Sequence, residues 1–141
     1  MKNYMYNSGI IKLKEIGNKS GLLTPIESKR DIPFEIKRMY YIKNVEENSE
    51  RGFHSHRMLH QLLIAISGSV KVRLKNSYEE EVVELSESSY GLYIGPMIWR
   101  EMFDFSPGAV LLVLASEYYD ESDYIRDYES YLIEARKFFR R

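Results

Sequence analysis

The 141-residue sequence predicts an all-β fold, an antiparallel sandwich or barrel of short strands closed by one C-terminal α-helix. Three observations predict it. Short runs rich in Ile, Val, Leu and Tyr recur at regular intervals, clusters of turn residues separate them, and no helical crossover lies between them. Only the tail changes period: Tyr124, Tyr128, Tyr131, Leu132, Ala135 and Phe139 repeat at helical spacing, with Asp, Glu, Arg and Lys between them.

The first strands are expected over 10–14 and 22–27, on either side of the turn Asn18-Lys19-Ser20-Gly21. The next, 34–43, alternates so that Phe34, Ile36, Arg38, Tyr40 and Ile42 share one face, which the apolar majority turns inward. Strands over 56–66 and 69–74 lead to the turn Lys75-Asn76-Ser77, and strands over 81–85, 91–94 and 98–104 follow. Ser106-Pro107-Gly108 then precedes the last strand, 110–115. From Tyr118 to Arg141 the chain is read as a helical extension that covers the sheet. Asp120 or Ser122 is its expected cap, and Arg136, Lys137, Arg140 and Arg141 lie in its last turn. No repeat or linker divides 1–141, so one domain is expected.

Composition narrows the function. Twenty Lys and Arg balance 21 Asp and Glu to a net charge of −1, too little positive field to gather nucleic acid or an anionic membrane. The longest apolar run, 109–115, is far shorter than the ~20 residues of a membrane span, and the N-terminus has no apolar core of a secretory signal. Without cysteine there is no disulfide scaffold, thiol nucleophile or thiolate metal site. A cytoplasmic protein is expected. Its 12 tyrosines, apolar rings with polar tips, suit a wet cavity or an interface.

All three histidines fall within Arg51-Gly52-Phe53-His54-Ser55-His56-Arg57-Met58-Leu59-His60-Gln61. On a strand His54 and His56 share a face, as do Met58 and His60. Two imidazoles side by side are either half of a metal site or a source of acid–base catalysis near neutral pH; the bland alternative is a surface pair beside a turn. Arg38, an inward cation, needs a carboxylate or a ligand oxygen, and Tyr40 puts a hydroxyl beside it. Tyr41, on the opposite face, is the weaker candidate.

His54-x-His56, Gln61 and Gly68 resemble the first cupin motif, in which two His and a Glu bind metal inside a jelly-roll barrel. This chain departs from it twice. Gln61 stands in the carboxylate's place, and the second-motif segment around Gly91-Leu92-Tyr93-Ile94 and Pro96 has no histidine. Two neutral imidazoles make a poor divalent-metal site, so a cupin without metal or organic cofactor is expected.

The resemblance extends over nearly the whole chain. Residues 32–42, Arg51 to His56, Ser67-Gly68-Ser69-Val70, Gly91 to Ile94 with Pro96 and Trp99, and Glu117 to Tyr128 are together similar to the sugar 3,4-ketoisomerases. That family acts on TDP-4-keto-6-deoxy-D-glucose. The resemblance implies a small homodimer that moves a carbonyl from C4 to C3 of the nucleotide-linked hexose through an enediol. His54 would be the leading base and His56 its partner, with Tyr40 as a proton relay or sugar ligand. Arg51 suits a pyrophosphate, Trp99 could stack on thymine or fill core, and Arg100 stands where the second motif approaches its histidine. Arg100 inclines the product toward 3-keto-6-deoxy-D-glucose. The product would feed an aminotransferase and, in the end, a bacterial surface glycan. The segment 118–128 is expected to be structural, since its acidic residues would repel a pyrophosphate. Two other readings are carried: a metal-dependent cupin oxygenase in which His60 completes the site, and a non-catalytic sugar-nucleotide-binding cupin.

Overall fold

The computed structural model describes residues 7–139. In chain order, β1 (Ser8–Lys12), β2 (Ile16–Asn18), β3 (Gly21–Leu23), β4 (Arg38–Ile42), β5 (Arg51–His56) and β6 (Gln61–Ser67) come first. Then follow β7 (Val70–Lys75), β8 (Glu80–Leu85), β9 (Tyr90–Ile94), β10 (Trp99–Phe103) and β11 (Val110–Ala115). A 3-10 turn (Glu121–Asp123), the two-residue β12 (Tyr124–Ile125) and α1 (Tyr128–Phe138) complete the fold. Two five-stranded sheets, β1-β9-β6-β11-β4 and β12-β5-β10-β7-β8, face each other, and β2-β3 stands apart as a hairpin. The strand pairings are antiparallel, as in a cupin jelly roll.

Alternation builds the core. On β7, Val70, Val72 and Leu74 point inward while Lys71, Arg73 and Lys75 point out. The inward residues meet Leu63, Ala65, Leu92, Ile94, Leu111 and Val113 of the opposite sheet. The unbroken apolar stretch of β6 has a different cause. Leu62 and Ile64 face away from the lumen but are buried under Leu13, Ile32 and Phe34 from the segments that cross the outer face. Each such leucine contributes roughly 1.5–3 kcal/mol by leaving water.

Several boundaries differ from the sequence expectation. The strand expected over 22–27 ends at Leu23, and that over 34–43 begins only at Arg38. Phe34 and Ile36 belong to the outer cluster, so only Arg38, Tyr40 and Ile42 keep the inward parity, while Met39 and Tyr41 are exposed. The strand expected over 56–66 is two strands, because the chain turns between His56 and Gln61. In the β2-β3 hairpin Gly17, at φ 150°, has no room for a side chain: a Cβ there would lie 2.0 Å from the Gly21 carbonyl oxygen.

The tail differs most. Instead of a helix from residue 118, the chain forms the 3-10 turn, pairs β12 with β5, and starts α1 at Tyr128. Asp120 does accept from the Ser122 N–H, but it caps the 3-10 turn; the helix cap is Asp127, which accepts from the Ser130 N–H at 2.9 Å. Arg136 and Lys137 occupy the last turn, whereas Arg140, Arg141 and residues 1–6 lie outside the described residues. The helix buries Tyr131 and Ala135. The Tyr131 hydroxyl lies 2.8 Å from the Met97 carbonyl oxygen and 2.9 Å from that of Lys75, which ties the helix to the barrel end. Tyr131→Phe is expected to cost about 1–3 kcal/mol, since it strands buried carbonyls, with an unchanged denaturant slope in urea unfolding.

Candidate active site

The site starts on β5, a strand with a built-in bulge. Gly52 and Phe53 both hold positive φ, 93° and 58°, and the β5–β10 register slips between Arg100 and Glu101. Left-handed geometry at an aromatic residue is strained, and it re-aims the strand beyond it. A Cβ on Gly52 would come within 2.9 Å of the Arg100 carbonyl oxygen, so the close approach of β10 requires glycine. Past the bulge, His54 and His56 project on one face, rings edge-on with centroids 4.9 Å apart. Their face is the lumen: His56 is 1% exposed.

Tyr124 on β12 is in register with His56, and its ring lies 4.3 Å from the His56 ring and 5.0 Å from that of His54. Arg100 on β10 is in register with His54 on the other side. Its guanidinium is buried, donating from Nε and Nη2 to the Ile98 carbonyl oxygen and from Nη1 to the Gln61 amide oxygen. Gln61 in turn donates from Nε2 to the Tyr40 hydroxyl at 3.1 Å. No ion pair reaches Arg100 among the described residues.

Burial together with the Arg100 charge sets the protonation states. Desolvation, then the guanidinium, pushes His54 down to about 3, and His56 falls further for the same reasons, with His54 adding to the effect. Both rings are neutral near neutral pH. Desolvation also pushes Arg100 down to about 10, which still leaves it a cation there. Tyr40 is raised by burial, so its hydroxyl keeps its proton.

Two cavities open onto the imidazoles. One, of about 370 Å³, is lined by His54, Tyr40, Arg38, Arg51 and Arg126, with Gly52, Met102 and Tyr124 among its other walls. The second, of about 530 Å³, reaches His56 and carries Glu117, Asp120 and Asp123. Arg38 and Tyr124 line both and form the partition. The first is cationic and the second acidic, so an anionic ligand is favoured on the His54 side. Arg126 in that wall is neutralised by Glu121 at 2.7 Å and lies 4.3 Å from the Tyr124 ring. Arg38 and Arg51 have no carboxylate within ion-pair distance among the described residues. They are the cations free to meet a phosphate.

The expected residues thus divide. His54, His56, Tyr40, Arg38 and Arg51 converge on the cavities, and Arg100 forms the floor behind them. Trp99 lines neither cavity: its indole packs 5.0 Å from the Tyr128 ring and donates to Glu101 at 2.9 Å, so it fills core behind α1. His60 also lies away from the imidazole pair. The turn after His56 carries it to the other sheet, where it shares a hydrogen bond with the Tyr93 hydroxyl and stacks on Phe34, so it does not complete a His54–His56 cluster. Among the described residues no group of three or more His, Asp or Glu is placed to hold a metal ion.

The segment read as purely structural supplies what sequence reasoning missed. Asp123, held by the Met58 N–H at 2.9 Å, puts its other oxygen 3.4 Å from Nδ1 of His56, and Tyr124 walls both imidazoles. Tyr124 sits four residues before Tyr128 and so extended the helical period by accident. The competing Asp caps at 120 and 127 were the signal that the segment divides.

Comparison with known proteins identifies the family. Residues 6–136 match the family described as FdtA: WxcM-like, C-terminal. A TDP-4-oxo-6-deoxy-alpha-D-glucose-3,4-oxoisomerase from Aneurinibacillus thermoaerophilus is 44% identical over 122 residues, 86% of this chain and 88% of that protein. The structure is similar to that of a histidine mutant of the 3,4-ketoisomerase QdtA from Thermoanaerobacterium thermosaccharolyticum, solved with TDP-4-keto-6-deoxyglucose. TM-score is 0.94 and identity 60%, covering 97% of this chain and 99% of that one. The TDP-quinovose 3,4-ketoisomerase WlaRB from Campylobacter jejuni is 44% identical at a TM-score of 0.88, covering 92% of this chain and 99% of that one. With two neutral imidazoles in a jelly-roll lumen and a family match over most of its length, the chain belongs to the FdtA family of sugar 3,4-ketoisomerases.

Proposed function

We propose that this protein isomerises TDP-4-keto-6-deoxy-D-glucose to TDP-3-keto-6-deoxy-D-glucose through an enediol. The observation that carries the reading is the pair of unprotonated imidazoles, 4.9 Å apart, opening on a cavity whose Arg38 and Arg51 have no carboxylate partner among the described residues. The diphosphate is held by Arg38 and Arg51, which places the sugar ring over His54 and Tyr40.

The C3 hydrogen is acidic because it is α to the C4 ketone. His54 removes it as a proton while the Tyr40 hydroxyl donates to the C4 oxygen, so that the C3–C4 bond becomes the double bond of an enediol. In the second half the C3 hydroxyl gives its proton to the Tyr40 oxygen, which restores the phenol, the C3 oxygen becomes the ketone, and C4 takes the proton held by the imidazolium. One hydrogen leaves C3 and one arrives at C4, with no net change in oxidation. His56, with Asp123 at 3.4 Å, stabilises positive charge as protons pass between the rings. The gluco configuration is supported by Arg100 beneath His54 and by the likeness to WlaRB, named for the gluco-configured 6-deoxy sugar quinovose.

Incubation with TDP-4-keto-6-deoxyglucose in heavy water is expected to give, by proton NMR, a 3-keto product with deuterium at C4; product without label at C4 would refute solvent-exchanging transfer. His54→Ala is expected to lower kcat by ~10²–10⁴-fold, the range for loss of a general base, and to leave TDP affinity within threefold in calorimetry. Since His54 in the free enzyme titrates near 3 rather than at its ordinary 6.5, kcat/KM is expected to stay level as pH falls through 6.5. A limb centred there would contradict the assignment. Stability has the opposite sensitivity. Between 6.5 and about 3 the unfolded chain binds protons that the folded His54 refuses, so stability is full above 6.5 and declines as pH drops through this window. His54→Asn should make that decline shallower in pH-dependent thermal melts, with His56 retaining its own share of it.

A further inference from the structure

We propose that Gln61 is a positioning residue that turns the Tyr40 hydroxyl proton toward the substrate and couples the oxyanion formed there to the buried charge of Arg100. The inference rests on the ketoisomerase reading and extends it to a residue outside the cavity walls.

Hydrogen-bond direction carries the argument. A guanidinium has donors only, so the Gln61 atom facing Arg100 Nη1 is the amide oxygen. The other end of the same amide is then NH₂, again donors only. It faces the Tyr40 hydroxyl at 3.1 Å, so that oxygen must accept. A phenol that accepts from Gln61 keeps its own proton for a third group, and Tyr40 lines the cavity shared with His54. The chain Arg100→Gln61→Tyr40 therefore has one polarity, ending in a donor aimed at the place where the C4 oxygen gains negative charge. Gln61 is itself 2% exposed, so these interactions act with little screening.

Arg100 gives the relay its purpose. A guanidinium that is 2% exposed and has no carboxylate partner among the described residues is expensive to bury. The negative charge that balances it is the transient one on the enediolate, reached through three polarised hydrogen bonds, from Arg100 to Gln61, from Gln61 to Tyr40 and from Tyr40 to the substrate oxygen. An amide is needed at position 61 for two reasons. A carboxylate would neutralise Arg100 permanently, and as an acceptor at both ends it would draw the Tyr40 proton inward, reversing the chain.

The test is a double-mutant cycle of Tyr40→Phe, Gln61→Glu and the double variant, with kcat, KM, TDP affinity and thermal midpoint measured for each. Each single variant is expected to lose about 10²-fold in kcat, the scale of one oxyanion donor, with KM and TDP affinity within threefold. The double variant should lose about the same 10², not the product, because Gln61 acts only through Tyr40. Gln61→Glu should also melt no lower than wild type, since it gives Arg100 an anion; a residue that mattered only for folding would lose both together. If Gln61→Glu does not fold, Gln61→Met takes its place in the cycle with the same expectation for kcat. Multiplicative losses, or a kcat within threefold of wild type for the position-61 variant, would overturn the relay. A wild type that binds TDP yet does not isomerise the keto sugar would overturn the reaction and the relay together.

Discussion

A cation sealed into the barrel with no anion beside it among the described residues is the constraint on which the site depends. Arg100 satisfies its donors with the Ile98 carbonyl and the Gln61 amide rather than with a carboxylate. Its field therefore remains available to its neighbours. It helps keep His54 and His56 unprotonated, it sets the direction of the Gln61 hydrogen bonds, and it makes the lumen receptive to negative charge. Position 61 shows how closely the charge balance is drawn: the same shape with a carboxylate would cancel the field at its source.

The barrel meets the expense of this arrangement through packing elsewhere. Two apolar clusters, one between the sheets and one under the segments that cross the outer face, hold the strands in register around the polar centre. The bulge at Gly52 and Phe53 then spends some of that rigidity on aim, letting β5 deliver both imidazoles to one face while β10 passes close behind. The tail completes the enclosure. β12 pairs along β5, which sets Tyr124 against both rings and Asp123 beside His56, and α1 plugs the barrel end through Tyr131.

Segregation of charge around the partition of Arg38 and Tyr124 gives the two imidazoles unequal surroundings. His54 meets the arginine-walled cavity, and His56 meets the one with Glu117, Asp120 and Asp123. Rings of identical chemistry on one strand face thereby sample different local potentials.

Much of this was legible in residue order alone. Strand alternation told which residues share a face, so the convergence of His54 with His56, and of Arg38 with Tyr40, followed from a period of two. Absence of cysteine, and Gln61 at the carboxylate's position, likewise narrowed the chemistry before any coordinates. Contacts between distant segments were not legible, because no local pattern encodes them. Tyr124 kept a helical spacing yet was captured by pairing with β5, His60 was carried to the other sheet by a turn, and Trp99 went to the helix side of β10. Periodicity is a property of neighbours along the chain; which buried group an arginine, an amide and a phenol will satisfy is decided only when the two sheets close and water is expelled from between them.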